Sequence, residues 1–106
     1  MLKIDIEPVK GILFVRLSGT LSKKTTSKLG KEVINLQTKT GIKNIVLNIN
    51  NLDYIDNYGK KALIKSIKMC KHNKGQAFIC TNKNYIDIKN TKIVNDELTA
   101  VNLIKL

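Results

Sequence analysis

Two short apolar runs constrain this chain most. Asn44 to Ile49 reads NIVLNI, and Gln76 to Thr81 reads QAFICT. Each is densely apolar between polar or turn-forming neighbours, the pattern of a strand buried on both faces of a parallel sheet. Between them Leu63, Ile67 and Cys70 recur at i, i+4 and i+7, with Ile64 beside them. That is one apolar helical stripe. His72-Asn73-Lys74-Gly75 stops the helix, with Gly75 as the expected residue just past its end. Strand, helix, strand in this order predicts a parallel pair joined by a right-handed crossover.

The flanks extend the unit. Leu2, Ile4 and Ile6 alternate with Lys3, Asp5 and Glu7, a half-buried strand. Pro8 to Gly11 turns the chain, and Ile12 to Leu17 is a second strand, hairpin-paired with the first. Ser18-Gly19-Thr20 is read as its end, with Ser18 and Thr20 in capping roles. Ser22 is the expected cap of a helix over about Lys23 to Thr38, with Leu29, Val33 and Leu36 at helical spacing and Gly41 closing the connection. Asn50 to Gly59 reads as a polar loop leading into the second helix. Past Thr81, Asn82 to Asn90 is loop-like, with Tyr85, Ile86 and Ile88 as packing points, and Lys92 to Val94 is a short edge strand. Asn95 is the expected cap of a last helix through Lys105, with Leu98, Val101 and Ile104 on one face and Asp96 and Glu97 set against its dipole. The whole predicts an α/β sandwich: a mixed, mostly parallel β-sheet of about four to five strands, with helices packed on one face. At 106 residues it forms one domain, residues 1–106.

Charge is the unusual part of the composition. Lys and Arg number 19 against 8 Asp and Glu, a formal net of +11. All but one of these bases are lysines; the exception is Arg16, read as lying along an open sheet face with its head in water. Lys60, Lys61, Lys65, Lys68 and Lys71 line the second helix opposite its apolar stripe. Such a row can track phosphates. A near-absence of arginine, which specific base and phosphate recognition recruits, argues against nucleic acid. Interleaved aromatics for stacking single strands are missing too. The row is then either a solvated face in a lysine-rich composition or a surface that steers an acidic protein partner. Catalysis is excluded on the same reading. There is no glycine-rich phosphate loop, no usefully spaced carboxylate pair and no Ser-His or Cys-His constellation, so neither enzyme activity nor a cofactor is expected. His72 is the only histidine and the cysteines, Cys70 and Cys80, lie ten apart, so no standard four-ligand zinc site can be built. Both cysteines read as reduced core thiols of a cytoplasmic protein, with a single disulfide left open. No apolar run is long enough to span a membrane, and no signal segment opens the chain.

Two stretches carry a family resemblance. Val15-Arg16-Leu17-Ser18-Gly19-Thr20-Leu21 is one; Asn44-Ile45-Val46-Leu47-Asn48-Ile49 with Leu52, Tyr54-Ile55-Asp56 and Gly59 is the other. Together they resemble the STAS domain of bacterial anti-sigma factor antagonists, in which a strand ends R-L-S-G-E-L-D and a loop D-S-x-G opens the second helix. The resemblance implies a non-catalytic regulatory module that binds an anti-sigma factor, often a GHKL-type serine kinase, and lets go when the loop serine is phosphorylated. A phosphate there sits at a helix N-terminus and adds about two negative charges to the docking face. STAS domains also serve as subunits of membrane lipid or anion transport systems, and such a subunit is the alternative.

The sequence departs from the family at the decisive place. The motif reads Asp56-Asn57-Tyr58-Gly59, so Asn57 holds the phospho-acceptor position without a hydroxyl. The expected partner-binding residues are Asp56, Asn57, Tyr58, Gly59, Lys60 and Lys61. Asn57 should still cap the helix, with Asp56 either capping or shaping the partner's surroundings. Tyr54 is expected to pack and Tyr58 to face a partner. The chain is expected to be a monomer or weak dimer.

Overall fold

The computed structural model describes residues 1–82 and 92–104. Its elements are β1 (Leu2–Val9), β2 (Ile12–Leu21), α1 (Thr26–Thr40), β3 (Asn44–Ile55), α2 (Asn57–His72), β4 (Ala77–Cys80), β5 (Lys92–Val94) and α3 (Glu97–Leu103). They form a five-stranded sheet in the order β1-β2-β3-β4-β5. β1 and β2 are antiparallel and every other pairing is parallel. The hairpin between β1 and β2 is tighter than the sequence suggested. Val9 pairs with Ile12, and Lys10 and Gly11 turn the chain with φ of 49° and 80°, the two-residue loop whose twist matches its strands.

The sheet explains why the two founding runs look uniformly apolar. Both strands alternate, but each face has its own core. Leu13, Val15, Leu17, Ile45, Leu47 and Ile79 point to one side and pack with Leu29 and Val33 of α1 and Leu63, Ile67 and Cys70 of α2. Ile12, Phe14, Val46, Phe78 and Cys80 point to the other and pack with Val94, Ala100 and Ile104. Helices on one face therefore describes α1 and α2, whereas α3 covers the opposite side. Cys70 and Cys80 consequently lie on opposite sides of the sheet, both buried and unbridged.

Several boundaries differ from the sequence reading. β2 does not end at Ser18 but runs to Leu21, and the supposed loop from Asn50 to Ile55 is strand. The two continue as a parallel ladder to Leu21↔Ile55, with register shifts after Arg16 and after Gly19. β3 thus uses 12 residues against 10 in β2. Those irregularities break the period-two pattern, so that Ile49, Leu52 and Ile55 are the inward residues and the segment looks like a loop on paper. Ser18 and Thr20 are ladder residues and not caps.

Helix α1 starts later than Ser22. Thr25 is its N-cap by backbone position and makes no side-chain capping bond, because its Oγ1 is engaged in the preceding turn, accepting from the Ser22 N–H at 2.9 Å and donating to the Thr20 carbonyl at 2.9 Å. At the end of α2 the left-handed residue is Lys74, φ 65°, not Gly75; Gly75 donates instead to the Cys70 carbonyl at 2.7 Å. Asp96, not Asn95, caps α3, accepting from the Thr99 N–H at 2.8 Å. α3 buries Ala100, with Ile104 buried just past its end, and leaves Leu98 and Val101 exposed. Tyr85, Ile86 and Ile88, and the expected helix end at Lys105, lie outside the described residues.

Candidate partner-docking face

The region from Asp56 to Lys61 is built by the junction of β3 and α2. Asp56 leaves the strand with extended backbone and is the N-cap of α2. Its Oδ1 accepts from the Gly59 N–H at 2.8 Å and its Oδ2 from the Lys23 N–H at 3.1 Å. The Asp56 N–H donates to the Leu21 carbonyl at 3.2 Å. One carboxylate therefore joins the start of α2 to the turn after β2. The expected capping by Asn57 is not what forms: Asp56 occupies that role, and Asn57 is the first helical residue, exposed to solvent.

Gly59 is fully enclosed. A Cβ there would collide with the Leu21 carbonyl and lie 2.8 Å from Ile55 Cγ1, so the close approach of α2 to the end of β2 requires glycine. Tyr58 is 51% exposed, with Lys23 Nζ 5.3 Å and Lys61 Nζ 5.9 Å from its ring centre. These separations fit cation–π contacts at an exposed site. Lys60 is half-buried, and Lys61, Lys65, Lys68 and Lys71 are exposed along α2. The first turn of α2 holds no acidic side chain. Lys60 and Lys61 stand near the positive end of the helix dipole, where cations are disfavoured. Helix stability does not ask for them there.

Two residues were missed from sequence. Tyr54 was expected to pack, yet it is 57% exposed, because the register shift between Gly19 and Thr20 turns it outward. Lys23 had no motif to mark it, and only the fold brings it to Asp56 and Tyr58.

Arg16 does not lie on an open face. Its guanidinium forms a two-pronged pair with Glu97, Nη2–Oε1 at 2.8 Å and Nε–Oε2 at 2.9 Å, and a further bond to Glu7 at 2.8 Å. Asn48 Nδ2 donates to the same Glu97 at 2.7 Å. Arg16 is held firmly charged, and its hydrogen bonds keep the Glu97 carboxyl below the usual carboxylate range. The group fastens α3 to the sheet centre.

The chain matches the STAS domain family over residues 3–99. It belongs to that family. An anti-sigma F factor antagonist of Paenibacillus polymyxa is 28% identical over 79 residues, 74% of this chain and 68% of that protein. In structure, this STAS domain is similar to a candidate anti-sigma factor antagonist of Thermotoga maritima, with a TM-score of 0.86 and 13% identity over 95% of this chain and 93% of that one. It is also similar to an anti-sigma factor antagonist of Mycobacterium paratuberculosis, at 0.81 and 14% over 98% and 94%. The antagonist SpoIIAA in its unphosphorylated form overlays at 0.76, with 12% identity over 93% and 94%. These likenesses bear out the STAS fold read from the two motifs, and the named antagonists are regulators by description. No helix among the described residues is long and apolar enough to cross a membrane.

Proposed function

We propose that this STAS domain is a non-catalytic regulatory module that docks an anti-sigma factor, a GHKL-type serine kinase, in the cytoplasm. Docking uses Asp56, Asn57, Tyr58, Gly59, Lys60 and Lys61 together with the exposed face of α2. The observation that carries the reading is the exposed Asn57 at the first position of a helix capped by Asp56. The helix start is intact while the acceptor hydroxyl is gone, so the module stays in the state that an unphosphorylated antagonist occupies. Lys60 and Lys61 support it, since charges placed against the helix dipole suit an acidic partner surface and speed its capture.

The test uses the anti-sigma kinase encoded in the same genome. Calorimetric titration should show binding to the native chain, weakened roughly tenfold or more by Asn57→Asp or by Lys60→Glu with Lys61→Glu, a loss of about 1.4 kcal/mol or more. Intact-mass spectrometry after incubation with the kinase and ATP should show no phosphate on the native chain and one on Asn57→Ser. A native chain that fails to bind, or that gains phosphate at another residue, overturns the reading.

A further inference from the structure

Helices α1 and α2 lie side by side on one face of the sheet, and a groove of about 450 Å³ runs between them. Val33, Ile34, Ala62 and Met69 supply its apolar surface. A second hollow of about 320 Å³ shares Ile34, Gln37 and Met69 and carries the groove on toward Lys43 and Asn73. Together they follow α1 from Thr26 to Thr38, about 18 Å at the helical rise. That length accepts roughly three turns of a partner helix.

The rim has one sign. Lys31, Lys61 and Lys65 stand along the first hollow and Lys43 along the second, and among the described residues no carboxylate lines either. The two polar side chains deepest along α2 and α1 are engaged within the fold: Ser66 Oγ donates to the Ala62 carbonyl at 3.1 Å, and Gln37 Nε2 contacts Cys70 Sγ at 3.4 Å. A small polar ligand would find few free groups to orient it. An apolar trough between lysine rows is instead the complement of an amphipathic helix with an acidic outer face. Gly30 fits the same picture. It weakens the interior of α1, and a Cβ there would meet nothing within 4 Å, so its effect is to keep the trough open.

We propose that this groove receives an acidic amphipathic helix of a protein partner. The site goes beyond the loop face, which it meets at Tyr58 and Lys61, and shares the Lys65 edge of α2 with the docking face proposed above. The probe is a fluorescein-labelled helical peptide of about fourteen residues, four turns, with leucine on one stripe and glutamate elsewhere. Its lysine-for-glutamate counterpart and phosphatidylglycerol vesicles are the comparisons. The acidic peptide should bind, shifting the amide resonances of Gly30, Ile34, Lys65 and Met69, while the basic one should not. Gly30→Leu places a bulky side chain in the trough from a Cβ that has open space around it, and should weaken binding roughly tenfold or more with an unlowered melting temperature. Lys31→Glu with Lys65→Glu should weaken it similarly. Absence of groove shifts with the acidic peptide, equal binding by Gly30→Leu, or vesicle binding in its place each overturns the proposal. Failure of a kinase to bind at Asn57 leaves these readouts unchanged, so the two sites are tested separately.

Discussion

Gly30 and Gly59 are both helical glycines, and their surroundings give them opposite meanings. A Cβ on Gly30 projects into open space, whereas one on Gly59 runs into the Leu21 carbonyl. That carbonyl is held in place by the Asp56 N–H and cannot easily withdraw. Gly30→Ala should therefore stabilise the fold by up to about 1 kcal/mol, the propensity gain of a helix interior. Gly59→Ala should destabilise it by about 1–3 kcal/mol, as overpacking does. Urea unfolding followed by circular dichroism checks both signs, and a stabilising Gly59→Ala would mean that α2 does not press on the end of β2. Asp56 shows the same dependence on neighbours. The sequence left it between two roles, and the structure gives its two oxygens to Gly59 and Lys23.

Among the elements, α3 depends most on a contact that no local pattern announces. It has 7 residues, too few to hold together without tertiary support. Ala100 and Ile104 pack it on the sheet, and Arg16, Asn48 and Glu97 tie its first turn to β2 and β3. Glu97 is ionised in the fold below its ordinary value of 4.5 because it accepts from Arg16. The unfolded chain therefore takes up this proton first as pH falls. The stabilisation is complete well above 4.5 and is lost as pH drops through the lower folded value. Glu97→Gln should cost about 1 kcal/mol near neutral pH, the pair being partly exposed, and should flatten the stability profile across the acid range in which Glu97 takes up its proton. Urea midpoints across that range measure it; a variant that keeps the native acid slope would show that Glu97 does not fasten α3. β3 illustrates a different limit. Its extension past Ile49 is polar enough to pass for a loop, and only pairing with β2 reveals it as strand.

At the scale of the molecule, the sheet is a partition with a core on each side. Cys70 is sealed on the inner face of α2 against the sheet, and burial raises its thiol pKa. Cys80 lies across the sheet, its thiol pushed up to about 11 by burial and by the charges of Glu97 and Asp96. Neither should react with a thiol reagent at about pH 8 in the native state, and both should react once denaturant is added, since the thiolate is the nucleophile. Ready labelling of the folded protein would contradict the two-sided core. The same partition decides what the +11 net charge means. The lysines of α2 are confined to its outer face, opposite Leu63, Ile67 and Cys70, which is the side that carries Tyr58 and the groove. By itself the sequence determined the order of strands and helices, the parallel pairing, the STAS motifs and the missing hydroxyl at Asn57. These follow from residue identity and local spacing, which a chain carries before it folds. Tertiary structure alone decided that α3 covers the second face, that Arg16 meets Glu97 81 positions away, that Tyr54 points outward and that Lys23 joins Asp56. Each depends on a register shift or a long-range contact, and neither leaves a period in the sequence.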